Sequence, residues 1–167
     1  MDLYLLRHAI AVVRGAPGVE RDSDRPLSEK GDAKMRQIAR GMKALGLSFD
    51  LIVTSPYLRA RQTAEIVAAE FGAEKKMELS PHLALDGDPA ELLDELRSQH
   101  ASVESVLLVG HEPYLSELVS VLISGDERTE VLMKKGGLCK LAVEDLAYGQ
   151  CATLEWLMAP RQLTRIG

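Results

Sequence analysis

The sequence predicts an α/β fold: a three-layer α/β/α sandwich around a mainly parallel sheet, with a C-terminal antiparallel hairpin at its edge. Three observations carry this. Short unbroken apolar runs at residues 3–6, 51–53 and 106–109 are too brief for helices. They also lack the alternation of a half-exposed strand, as expected of strands buried on both faces. Between the runs lie segments with apolar residues at three- and four-residue steps, which is the helical repeat. The last third then changes to two longer strand-like runs around a turn, the pattern of a hairpin. Strands alternating with helices imply parallel pairing through right-handed crossovers.

The elements follow in order. The first strand ends abruptly in Arg7 and His8, and the polar stretch 13–26, rich in Gly, Pro, Asp and Arg, reads as a loop of functional length. Within it, Asp22 and Asp24 are expected at the surface, and Arg25 within reach of a neighbouring anion. Ser28 caps a helix starting near Glu29. Its apolar stripe is Met35, Ile38, Met42 and Leu45, and Gly46 stands at its C′ position. Residues 51–54 form the second strand. Ser55 and Pro56 read as an N-cap and first helical residue. The helix they open buries Ala60, Ala64, Val67, Ala68 and Phe71 and closes at Gly72.

Residues 77–79 are a further strand. Asp88, Pro89 and Glu91 form a helix start with a capping box, ahead of the inward-facing Leu92, Leu93 and Leu96. Residues 105–109 run as a strand into Gly110-His111-Glu112-Pro113. The helix beyond buries Leu115, Leu118, Val119 and Leu122 and ends at Gly125. Residues 138–143 and 151–158 make the hairpin, around a turn containing Gly149.

Length and composition limit the function classes. At 167 residues the chain is expected to form one domain, 1–167, with a core large enough to need no staples. Its 46% hydrophobic and 27% charged residues are ordinary for a globular protein, and the net charge of −5 argues against nucleic acid or an anionic membrane surface as partner. No run approaches the ~20 apolar residues of a membrane span. No charged segment followed by an apolar one opens the chain, so a cytoplasmic location is expected. Cys139 and Cys151 form no CxxC pair and are expected to be free thiols. His8, His82, His100 and His111 show neither HxH nor HExxH spacing, so no metal and no cofactor are expected.

The chemistry gathers at three strand ends: Arg7-His8, residues 55–59, and Gly110-His111. In a parallel sheet all three share one edge, where α/β proteins bind ligands. The helix after residue 55 points its positive end at that edge. Arg59, in its first turns, leans back toward the N-terminus and reaches the same place. Arg61 is expected on the surface, and Gln62 and Thr63 on the rim or in structural roles. Two arginines and a helix N-terminus suit a doubly charged oxyanion. Two histidines add a nucleophile and a second donor, and the cations beside His8 keep it neutral. Together these parts read as a phosphoryl-transfer site without a metal.

Leu-Arg-His at the first strand end, Ser-Pro-Tyr-Leu-Arg-Ala-Arg-Gln-Thr-Ala at 55–64 and Gly-His-Glu-Pro at 110–113 resemble the histidine phosphatase (phosphoglycerate mutase-like) superfamily. The short length and the segment Arg25-Pro26-Leu27-Ser28-Glu29-Lys30-Gly31 are most similar to its phosphohistidine phosphatase branch. The resemblance implies His8 as a nucleophile that becomes a phosphohistidine, with Arg7, Arg59 and His111 holding the phosphoryl oxygens. Two departures stand out. Ala9 replaces the family's commonest glycine, and a methyl there is expected to be tolerated. The acid that many members carry after the third strand has only Asp86 and Asp88 as candidates, and since Asp88 is needed as a cap, Asp86 is the possible general acid.

The expected function is metal-independent hydrolysis of phosphohistidine on a partner protein. The alternatives are a small-molecule phosphomonoesterase of the same superfamily and a catalytically weak phosphoprotein-binding module. The sequence assigns no oligomeric state.

Overall fold

In the computed structural model, which describes residues 1–167, the first apolar run is β1 (Asp2–Arg7), near the centre of a six-stranded sheet. The elements that follow are α1 (Glu29–Ala44), β2 (Leu51–Thr54), α2 (Leu58–Phe71), β3 (Met77–Leu79) and α3 (Pro89–Gln99). Then come β4 (Ser105–Gly110), α4 (Tyr114–Ser124), β5 (Leu138–Val143), β6 (Ala152–Met158) and α5 (Pro160–Ile166). The strand order is β3-β2-β4-β1-β5-β6. The first four strands in the chain run parallel, while β5 is antiparallel to β1 and β6 antiparallel to β5. This is the expected α/β sandwich.

The unbroken apolar strands are explained by two cores of nearly equal size, 20 and 19 buried residues, one on each face of the sheet. Leu3 and Leu5 enter the core shared with α3 and α4, and Tyr4 and Leu6 the one shared with α1, α2 and α5. A strand with both faces covered has no position left for a polar residue. Polarity is confined to strand ends, and β1 and β4 end together: Arg7 is paired with Gly110 in the parallel register. His8 and His111 are therefore side by side at the sheet edge.

Local signals set most element bounds. The Ser28 hydroxyl accepts the Gly31 N–H at 3.1 Å, and the Asp88 carboxylate accepts from Ala90 and Glu91. Glu91 returns no bond to Asp88, so that cap is one-sided. Gly72 ends α2 in the left-handed conformation, φ 62°, as its place in the sequence predicts. One expectation is corrected: α2 begins at Leu58, with Tyr57 as its N-cap, rather than at Pro56. Ser55 cannot cap because it still belongs to the sheet edge; its N–H donates to Val109 O at 3.0 Å. The short α5 has no counterpart in the sequence reading. It follows β6 after a single residue, and Leu163 seats it against α1.

Gly31 allows a close approach that positions the site. A Cβ built there would lie 1.9 Å from Ile10 O, the carbonyl that also accepts the Ser28 N–H and hydroxyl. Only a hydrogen lets α1 pass this close beneath the chain leaving His8. Gly31→Ala is expected to destabilise the fold by ~1–3 kcal/mol through overpacking and to lower activity as well. Denaturant melts and an activity assay on the same samples check it; unchanged stability would show that the loop yields freely.

No helix is long and apolar enough to cross a membrane.

Candidate active site

Four side chains from three strand ends meet at the sheet edge. His8 and His111 are buried, with ring centroids 5.1 Å apart, and Arg59 is 2% exposed. The His8 backbone N–H donates to Gly110 O at 3.0 Å, which ties the ends of β1 and β4 together. A carbonyl can only accept, so the 2.7 Å contact between His8 Nδ1 and Ala9 O places the proton on Nδ1. The lone pair is then on Nε2. It faces Arg59, whose Nε donates to it at 3.3 Å.

His111 is fixed by Ser55. The Ser55 Oγ accepts the Tyr57 N–H at 3.3 Å and lies 2.8 Å from His111 Nε2. The hydroxyl has a second lone pair as well as its proton, so it donates to Nε2 in the Nδ1–H tautomer of His111 and accepts from Nε2–H in the other. His111 Nδ1 is buried with no hydrogen-bond partner in the protein. Arg7 repeats the pattern. Its Nη1 donates to Met133 O at 2.8 Å, while its Nε is buried without a partner. Buried polar groups normally have partners; the unpaired Arg7 Nε–H, joined by His111 Nδ1–H in that tautomer, suits an oxyanion.

Burial is the first cause that pushes both histidines down to about 3. For His8 the hydrogen bond to Ala9 opposes this, and the cations Arg59, Arg7 and Lys135 add to it. For His111 the neighbouring His8 and Arg59 add to it. The expectation that cations keep His8 neutral thus holds in direction, while desolvation is the larger cause. Glu112, beside His111, is raised above the usual carboxyl value, chiefly by burial, against the pull of Ser116 and Arg7.

The remaining sequence candidates fall as follows. Arg61 points to solvent and pairs with Glu65 at 3.3 Å. Gln62 and Thr63 serve the scaffold: Gln62 Oε1 accepts the Leu27 N–H at 2.7 Å, and Thr63 Oγ1 accepts the Ala9 N–H at 3.0 Å. Ala9 is itself buried, so its methyl fits. Asp86 lies exposed in the turn before α3 and makes no hydrogen bond; its neighbour Leu85 lines a cavity of about 400 Å³ beside the site. That cavity is walled also by Asp22, Arg25, Arg14 and Tyr57. No group of three or more His, Cys, Asp or Glu side chains is placed to hold a metal ion.

Two residues of the site were not legible in the sequence as such. Ser55 read as a cap and instead orients His111. Asp22 read as surface, but its carboxylate takes Arg59 Nη2 at 3.0 Å and its backbone carbonyl takes Nη1 at 2.7 Å. The only signal for Asp22 was the length of its loop.

Sheet order, strand-end histidines and flanking arginines define an α/β sandwich with two histidines and two arginines gathered at its parallel edge. The chain belongs to the histidine phosphatase superfamily: the model of its branch 1 matches residues 3–84. It is 28% identical to the phosphohistidine phosphatase SixA of Escherichia coli, over 98% of this chain and 96% of that protein. It is 39% identical to an uncharacterized protein of Picosynechococcus, over 84% of each chain. Among solved structures, the protein histidine phosphatase SixA complexed with tungstate superposes with a TM-score of 0.84 at 28% identity, covering 98% of this chain and 99% of that one. The putative phosphohistidine phosphatase SixA of Agrobacterium tumefaciens matches with a TM-score of 0.76 at 30% identity, over 95% of this chain and 97% of that one.

Proposed function

We propose that this protein is a metal-independent phosphatase that hydrolyses phosphohistidine on a partner protein through a phosphohistidine of its own at His8. The observation that carries this is the Nε2 lone pair of a neutral, buried His8, whose one hydrogen-bond partner is the Arg59 Nε–H at 3.3 Å. The likeness to SixA across nearly the whole chain supports the substrate class. That SixA is found complexed with tungstate, a tetrahedral oxyanion, supports the site's preference for one.

In the first step His8 Nε2 forms a bond to phosphorus as the bond from phosphorus to the departing ring nitrogen breaks. That imidazole, protonated beforehand from solvent, leaves neutral. In the second step water attacks phosphorus opposite Nε2 and loses a proton to solvent. The N–P bond breaks, its electron pair returns to Nε2, and inorganic phosphate departs. Arg7, Arg59 and His111 hold the phosphoryl oxygens throughout, as fixed donors in a site shielded from water. Two guanidinium charges do the neutralising that a divalent ion would otherwise supply. The free thiols Cys139 and Cys151 suit a reducing compartment such as the cytoplasm.

Leaving-group chemistry separates the substrates. An alkyl phosphate departs as an alkoxide, whose conjugate acid is about as weak as water, pKa ~15.7. Expelling it needs a placed acid, worth roughly 10²–10⁴-fold. Asp86 is the residue we assign to that role; exposed and unpaired, it contributes to esters and little to phosphohistidine. Turnover of a phosphohistidine protein, an aryl phosphate and an alkyl phosphate, each with chelator present, tests this. Rates should fall in that order and be unchanged by the chelator. Equal rates on the alkyl ester would favour a small-molecule phosphomonoesterase, binding without turnover a recognition module, and chelator-dependent loss would remove the metal-free mechanism.

A further inference from the structure

Beyond the four strand-end residues, the loop before α1 supplies one carboxylate to the site. Asp22 faces three arginines at once: it accepts from Arg59 Nη2 and Arg14 Nε, each at 3.0 Å, and forms an ion pair without a hydrogen bond with Arg25, whose Nε lies 3.1 Å away. The three differ in depth. The Arg14 side chain is 78% exposed, that of Arg25 16% and that of Arg59 3%. A shared exposed pair contributes little, whereas a carboxylate against a buried guanidinium fixes its geometry.

The geometry at Arg59 is specific. Its guanidinium has three nitrogens, and Asp22 engages two of them, one through the carboxylate and one through the backbone carbonyl. A planar fork held at both Nη atoms has no rotation left, so Nε is aimed at His8 Nε2. That is the point where phosphorus must arrive. Tyr57 lies against the same group, with its ring centroid 5.1 Å from the Arg59 Cζ. Burial of Asp22 by itself would raise its carboxyl, but Arg59, Arg25 and Arg14 outweigh this and hold it below the usual value, so it stays ionised.

We infer that Asp22 is a positioning residue for phosphoryl transfer, locking the Arg59 guanidinium so that its Nε–H stays at the reaction centre, while Arg25 and Arg14 hold Asp22 in place. The inference rests on the phosphatase reading of the His8 site. Misplacing a group by about 1 Å in such a site costs up to ~10²-fold in rate. Removal of Asp22 therefore lowers kcat with little change in KM.

Aryl phosphate kinetics on the wild type, Asp22→Ala, Asp22→Asn, Arg59→Ala and the Asp22→Ala/Arg59→Ala double variant test it, with a thermal melt of each. Asp22→Ala should lose roughly 10-fold to 10²-fold in kcat. Asp22→Asn, which keeps an acceptor for Nη2, should recover most of that. In the Arg59→Ala background, removing Asp22 should cost nothing further, because no guanidinium is left to aim. Equal losses in both backgrounds would make Asp22 a general support of the loop and overturn the inference. So would a tighter inhibition constant for inorganic phosphate with kcat retained, which would make Asp22 a mere competitor for Arg59. If Arg59→Ala itself keeps full activity, the reading of the site falls first and this inference with it.

Discussion

His8→Ala is expected to abolish turnover and to leave no labelled phosphoenzyme. The expectation follows from the tautomer. Ala9 O holds the Nδ1 proton at 2.7 Å, so Nε2 carries the lone pair, which accepts from Arg59 Nε, in a pocket where burial keeps the ring neutral. No second imidazole can substitute, since His111 is tied through Nε2 to Ser55. Loss of the nucleophile from a covalent hydrolase costs about 10⁶-fold in kcat. Rapid-quench trapping with ³²P-labelled substrate is the direct check: the wild type should give an acid-labile phosphoryl adduct and His8→Ala none. The pH profile adds a second one. With His8 pushed down to about 3, it is neutral from pH 5 upward, below its ordinary value of about 6.5. The acid limb of kcat/KM should then follow the second ionisation of the substrate, near about 6 for a phosphomonoester, and move when the substrate is changed. An adduct persisting in His8→Ala would reassign the nucleophile.

Arg59→Ala should cost ~3–4 kcal/mol of transition-state stabilisation, the scale of one lost oxyanion donor in a shielded site. Arg61→Ala should cost less than ~0.5 kcal/mol. The two arginines differ by two helical positions and so by face. Arg59 is buried on Asp22 and His8, while Arg61 lies in solvent against Glu65. The contrast is read from kcat/KM on an aryl phosphate. Arg59→Lys should recover little of the loss, because an ammonium restores the charge but not the fork that engages His8 and Asp22 together. Equal effects of the two alanine variants would contradict the helix phase seen here.

The sequence by itself determined the layers, the helix and strand order and the four strand-end residues. Each is a local property. The continuous apolar run 3–6 can only be a doubly buried strand, and Ser28, Asp88, Gly72 and Gly46 mark helix ends through their own side chains or backbone freedom. Arg7, His8, Arg59 and His111 were legible because each directly follows, or opens the helix after, such a strand. In a parallel sheet those places coincide.

What only the tertiary structure decided is which neighbours these residues have. Ser55 carried a correct cap signature, yet pairing with Val109 kept it in the sheet and left its hydroxyl for His111. Asp22 had no local signal at all. Its role arises from a loop that folds back over α2, 37 residues further along the chain, and residues in a loop carry no periodicity to report that. Desolvation, the main cause of the neutral His8, is likewise a property of the two packed cores and not of its sequence neighbours. Local chemistry names the groups, and the packed tertiary structure fixes their protons and their aim.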